Sequence, residues 1–147
     1  IEGKCHVLTE DQKMDYALQI CNGIKALHDN SIIHRDIKPS NVLLKSGILK
    51  VSDFSFGFFL NHNSTTLTSK DQIVGTQGYI APEIFNEGGH MATVLSDIYS
   101  LGCTLYYIFS GGIPPQYYDR TQISPQIVGI IEKCRNNTPA DRFSSVK

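Results

Sequence analysis

His34-Arg35-Asp36-Ile37-Lys38-Pro39-Ser40-Asn41 places a carboxylate, an ammonium and an amide within one short stretch. Each is a different chemical tool. The carboxylate can accept a proton, the ammonium seeks phosphate, and the amide oxygen is a hard ligand of the kind Mg²⁺ prefers. What lies on either side decides the architecture that carries them.

Upstream, Thr9-Glu10-Asp11-Gln12 reads as a capping box, with the Thr9 hydroxyl serving orphan amides and Gln12 reaching back. Glu10 and Asp11 favour the positive helix end. A helix to near Asn30 is expected, its apolar face drawn by Met14, Leu18, Cys21, Ile24, Leu27 and His28. Downstream, Val42 to Leu44 and Ile48 to Val51 are β-prone runs joined by Lys45-Ser46-Gly47, whose glycine can take the positive φ of a tight hairpin. The quoted stretch is therefore a loop between a helix and a hairpin.

Residues 61–74 are polar, rich in hydroxyls and without periodicity, and read as a mobile loop. Beyond it, Val94, Leu95, Ile98, Tyr99, Leu101, Leu105, Tyr106, Ile108 and Phe109 cover nearly the whole circumference of a helix from about Thr93 to Ser110. Such a helix must be buried on most sides, and Gly111-Gly112 should end it. Ser124-Pro125 has the form of an N-cap followed by proline at the first helical position, with Ile127, Val128, Ile131 and Cys134 as its apolar stripe. Thr138-Pro139-Ala140-Asp141 repeats that start signal. No internal repeat and no linker divides the chain.

At 147 residues there is enough chain for one real core, so one domain, or one lobe of a larger one, is expected. A net charge of -1 with 18% charged residues excludes a broadly basic surface and gives no case for nucleic acid. A hydrophobic content of 41% argues against disorder. Cys5, Cys21, Cys103 and Cys134 form no CxxC pair, and three of them fall on helical apolar positions; reduced core thiols in a cytoplasmic setting are expected. The longest apolar run, around Leu101 to Phe109, is too short for a membrane segment and is shadowed by Asp97. From Ile1 onward there is no charged, apolar and small-residue leader, so nothing indicates secretion.

Three further motifs follow the first in order. Lys50-Val51-Ser52-Asp53-Phe54 ends the hairpin, Gly75-Thr76-Gln77-Gly78-Tyr79-Ile80-Ala81-Pro82-Glu83 closes the polar loop, and Asp97 heads the buried helix. Together with His34 to Asn41 they resemble a eukaryotic-type serine/threonine protein kinase from its helix E onward. One motif alone is a modest pattern, whereas the ordered set spans nearly the whole chain. The resemblance implies an α+β fold: a protein-kinase-like C-terminal lobe, mainly α-helical with a small β hairpin, residues 1–147 running from helix E through the start of the last helix. It also implies ATP-dependent phosphorylation of serine or threonine hydroxyls on protein substrates, with ATP and Mg²⁺ as cofactors.

By that resemblance Asp36 accepts the proton of the substrate hydroxyl, and Lys38 neutralises charge on the transferring phosphoryl group. Lysine at this point is similar to serine/threonine kinases, since tyrosine kinases usually place alanine there. Asn41 and Asp53 would hold the magnesium ions, and Lys38, Asn41, Leu43 and Asp53 would meet the nucleotide. His34 is implied to be a packed structural histidine. Arg35 would bind a phosphate on the activation loop, with Thr65, Thr66, Thr68 and Ser69 as candidate carriers. Thr76 would contact Asp36 and Lys38, Asp97 would hydrogen-bond the catalytic-loop backbone, and Glu83 would pair with Arg142.

Three departures stand out. Ser55 follows Asp53-Phe54 where the family has glycine, and serine lacks glycine's freedom at positive φ, so restricted switching of this segment is expected. The alternative register Ser55-Phe56-Gly57 would lose the metal carboxylate; Lys50-Val51-Ser52, ending the strand where the motif begins, favours Asp53. No glycine-rich loop, strand lysine or helix C glutamate precedes Ile1, so the N-terminal lobe is absent from these residues. A fragment of a longer kinase, not competent alone, is the expectation, with a pseudokinase or scaffold acting by protein binding as the alternative. Between Pro115 and Ser124 only a short polar segment stands where the family usually places helix G. The run from Ser96 to Tyr107 is also similar to the stress-sensing kinase/endoribonucleases.

Overall fold

In the computed structural model, which describes residues 1–59 and 75–146, the Thr9 box starts the first helix as its sequence demands. The Thr9 hydroxyl accepts from the Gln12 amide at 3.3 Å, and the Gln12 side chain accepts from the Thr9 amide at 2.9 Å. Helix α1 (Glu10–Asp29) follows. Its buried face consists of Tyr16, Ala17, Ile20 and Ile24, whereas Met14 and Leu18 are 42% and 57% exposed. The expected face holds in the second half of the helix, where Cys21, Ile24, Leu27 and His28 turn inward, and is rotated in the first half, where Tyr16, Ala17 and Ile20 replace Met14 and Leu18. Two apolar stripes overlap on this helix, and the one that faces the neighbouring elements is the one that leaves water.

After α1 come β1 (Ile32–Ile33), the loop of interest, β2 (Val42–Lys45) and β3 (Ile48–Val51). β2 and β3 pair antiparallel from Val42 opposite Val51 to Lys45 opposite Ile48. Ser46 and Gly47 both take positive φ, 52° and 78°, so the turn has the twist that a two-residue hairpin prefers. A second ribbon joins β1 to β4 (Phe58–Phe59), with Ile33 opposite Phe58. Strands of two residues carry no periodic signal, and this ribbon was not legible beforehand. The polar loop and the candidate phosphate carriers Thr65, Thr66, Thr68 and Ser69 lie outside the described residues.

Helix α2 (Pro82–Glu87) begins with proline, and α3 (Val94–Phe109) begins at a second capping box, in which Thr93 and Ser96 bond one another's backbone amides. Helix α3 is the axis of the core. It is buried on nearly every side, including Ile98, Leu101, Leu105, Tyr106 and Ile108, and α1 and α4 (Pro125–Cys134) pack on it. At α4 the proline is placed as expected, but the Ser124 hydroxyl makes no capping bond. Thr138-Pro139 opens only a 3-10 turn, Pro139–Asp141, again without a capping bond from threonine. Between Pro115 and Ser124 the described backbone forms one 3-10 turn, Pro115–Tyr117.

The result is a mainly helical α+β fold with, among the described residues, two short antiparallel ribbons. All four cysteines are free; Cys5, Cys103 and Cys134 are buried and Cys21 is half-buried. Burial pushes the Cys103 thiol up to about 11 and the Cys134 thiol up to about 12. No helix among the described residues is long and apolar enough to cross a membrane.

Candidate active site

Asp97 sits in the first turn of α3 with only 1% of its surface exposed. An ionised carboxylate at that depth needs donors, and three arrive from elsewhere in the chain. The backbone amides of His34 and Arg35 donate to it at 2.8 and 2.9 Å, and the His28 ring lies 2.9 Å away. Arg35 adopts φ 69°, so the loop turns sharply over this carboxylate. Burial draws the Arg35 guanidinium below its ordinary pKa, and Asp97 opposes that pull.

His34 is fully buried. Its Nδ1 accepts from the Asp36 amide at 3.3 Å, which leaves Nε2 to donate to the Ser52 carbonyl at 3.0 Å. The ring also lies 5.3 Å from that of Phe54. One histidine thereby ties the loop to the segment that follows β3.

The loop delivers Asp36, 4% exposed, into a closed set of bonds. Thr76 donates its hydroxyl to Asp36 Oδ1 at 2.7 Å and accepts from Lys38 Nζ at 2.6 Å. Lys38 Nζ is also 2.8 Å from Asp36 Oδ2. Asn41 Nδ2 donates to Oδ2 at 3.0 Å and to the Asp36 carbonyl at 2.8 Å. A carboxylate has about four lone-pair sites, so these three donors, taken among the described residues, leave room for one more, on Oδ1.

With its NH₂ committed to Asp36, the Asn41 amide turns its oxygen away from that residue. Ser52 then links Asn41 to Asp53: the Ser52 amide and hydroxyl both bond the Asn41 carbonyl, at 2.8 and 3.0 Å. Asp53 follows with φ 62°, a conformation aspartate tolerates better than branched residues do. The positive φ lies at Asp53, and Ser55 is not among the residues that take one, so glycine's freedom is not required at position 55. Instead the Ser55 hydroxyl and amide both donate to Asp53 Oδ1. The hydroxyl foremost, then the amide, hold the Asp53 carboxyl below its usual range. Asn41 and Asp53 offer one amide oxygen and one exposed carboxylate, a donor set that fits Mg²⁺, which takes few protein carboxylates and completes its shell with water and phosphate.

Leu43 is carried on β2 and is 58% exposed, and Phe54 is 50% exposed. Glu83 and Arg142 lie apart from the Asp36 cluster and pair through two 2.7 Å bonds. Arg142 also donates to the carbonyls of Asn136 and Leu95, at 2.8 and 2.9 Å, so its buried cation is fully engaged. His28 was missed by sequence reasoning, which counted it within an apolar face. A polar ring at a core-facing helical position requires a partner, and that requirement was the available signal.

A protein-family model described as the protein kinase domain matches residues 1–147. The ovarian-specific serine/threonine-protein kinase Lok of Drosophila melanogaster is 42% identical over 113 residues, which cover 74% of this chain and 23% of that protein. Human mitogen-activated protein kinase kinase kinase 5 is 46% identical over 105 residues, 69% of this chain and 7% of that protein. Cytokinesis protein sepH of Emericella nidulans is 37% identical over 133 residues, 90% of this chain and 9% of that protein. The chain thus spans less than a quarter of the length of each of these relatives. With the family match running over all 147 residues, the chain belongs to the protein kinase domain family.

Proposed function

We propose that the protein carrying this chain phosphorylates serine or threonine hydroxyls of other proteins, using ATP and Mg²⁺, and that these residues supply its catalytic-loop lobe. The observation that carries the reading is the single lone-pair site left on Asp36 Oδ1 once Thr76, Lys38 and Asn41 have bonded the carboxylate. A substrate hydroxyl donating there would have its proton accepted and its oxygen aimed by a carboxylate that cannot rotate. Lys38, 2.8 Å from the same carboxylate, puts a cation beside the reacting oxygen, where it can neutralise charge on a phosphoryl group.

Asn41 and Asp53 would hold the Mg²⁺ ions, and Leu43 would line the nucleotide side. Mg²⁺, when bound, neutralises the nucleotide phosphates. Arg35, half-buried with Asp97 in its field, would receive a phosphate from the activation loop. The serine/threonine kinases among the relatives support the choice of acceptor.

Phosphate transfer to a protein substrate by the full-length protein tests the reading, with Asp36→Asn as the comparison. Loss of turnover by at least about 100-fold is expected, in line with removal of a positioned acid-base group. Turnover unchanged by that substitution would remove Asp36 from its role. A wild-type protein that transfers no phosphate, yet binds a partner, would favour the scaffold reading.

A further inference from the structure

Ser55 is the one residue in the site that departs from the family pattern while touching a proposed metal ligand. Its hydroxyl and its amide, the latter at 3.2 Å, both donate to Asp53 Oδ1. Among the described residues no other group hydrogen-bonds that carboxylate, and the Asp53 side chain is otherwise in the open. The segment around it is anchored as well: Phe54 sits against His34, and the Gly57 amide donates to the Phe54 carbonyl at 2.9 Å. An exposed carboxylate on an anchored backbone would still turn freely about its own side-chain bonds. The Ser55 hydroxyl removes that freedom and occupies one oxygen, leaving Oδ2 without a hydrogen bond among the described residues. A glycine at this position would keep the amide bond and lose the hydroxyl.

We propose that Ser55 is a positioning residue that fixes the Asp53 carboxylate for one-oxygen coordination of the divalent metal through Oδ2. The inference rests on the reading of Asp53 as a metal ligand and adds to it a residue and a coordination mode. Holding the side chain in advance spares the metal the cost of ordering it, which for one immobilised side chain amounts to about a three- to tenfold change in affinity. Ser55 keeps an ordinary negative φ, so replacing it tests the hydroxyl without releasing backbone strain.

The experiment is a titration of the full-length protein with Mn²⁺, followed by electron paramagnetic resonance, in the presence of a non-hydrolysable ATP analogue. Ser55→Ala should weaken Mn²⁺ binding by about three- to tenfold, and Ser55→Thr, which restores a hydroxyl, should return it to within about twofold. The thermal midpoint and the metal-free affinity for the nucleotide should stay unchanged, which separates positioning from a merely structural role. Asp53→Asn should abolish the tight Mn²⁺ signal. If Asp53→Asn has no effect, the ligand assignment fails and takes this proposal with it. If Asp53→Asn abolishes binding while Ser55→Ala leaves it unchanged, or tightens it, the proposal alone is overturned.

Discussion

Thr76 serves two partners with one hydroxyl, accepting from Lys38 at 2.6 Å and donating to Asp36 at 2.7 Å. Removing it leaves a buried carboxylate and an ammonium each short of a bond. A hydrogen bond to a charged group is worth about 1.5–3 kcal/mol, which corresponds to about 10–100-fold in rate if the loss falls on the reacting geometry. Thr76→Ala should therefore lower kcat by that factor in steady-state assays of the full-length protein, whereas Thr76→Ser should retain most of it. Equal losses in both variants would show that the methyl group, and not the hydroxyl, matters. The family resemblance carried by Gly75-Thr76-Gln77-Gly78-Tyr79 implied the contact with Asp36 and Lys38. It was not enough to assign the direction of each bond, because a hydroxyl can donate or accept and only its neighbours decide.

At the scale of elements, Gly102 in the middle of α3 separates intrinsic propensity from packing. Alanine is normally better than glycine inside a helix by about 1 kcal/mol. Here a Cβ would come within 2.5 Å of Cys134 Cβ and 3.0 Å of Arg135 Cγ on the α4 side. Overpacking of that kind costs about 1–3 kcal/mol, so the clash outweighs the helical gain. Gly102→Ala should lower the midpoint of urea unfolding, while Gly129→Ala on α4, where a Cβ meets nothing within 4 Å, should leave it unchanged or raise it. A Gly102 variant as stable as the Gly129 one would mean that α3 and α4 do not approach this closely. The first long helix could be read from its start, since a capping box is written within four residues, and the second from the apolar residues that cover its circumference. The buried face of the first half of α1 could not, because Met14 and Leu18 are as apolar as Tyr16 and Ile20; what separates them is which side α3 and β3 occupy.

For the whole molecule the cysteines report on the core. Thiols held neutral by burial to about 11 at Cys103 and about 12 at Cys134 keep their protons when the unfolded chain has lost them. The folded state then binds more protons than the unfolded one, so stability must fall as pH rises from near 9, the ordinary thiol value, through these raised values. Unfolding curves between pH 8 and 11 should show this decline, and a Cys103→Ala, Cys134→Ala double variant should show a shallower one. A slope identical in the two proteins would assign the decline to other groups. In native protein a thiol reagent should reach half-buried Cys21 before Cys103, whose surface is fully covered.

By itself the sequence determined the family, the order of helix, loop and hairpin, and the residue types at the site. Those features are local: caps, turns and motif spacings are set by neighbours within a few positions. Only the tertiary structure decided which donors close on which carboxylate. Asp97 gathers amides from His34 and Arg35 together with the His28 ring, and Glu83 meets Arg142 across 59 positions. Such contacts depend on how α1 and α3 cross and on where β3 releases the chain. The Ser55 hydroxyl belongs to the same class although its partner is two residues away, because the positive φ at Asp53 is what turns the carboxylate back toward it. A sequence motif names the atoms that the proposed phosphoryl transfer would use; among the described residues, burial and distance leave one lone pair of Asp36 unclaimed.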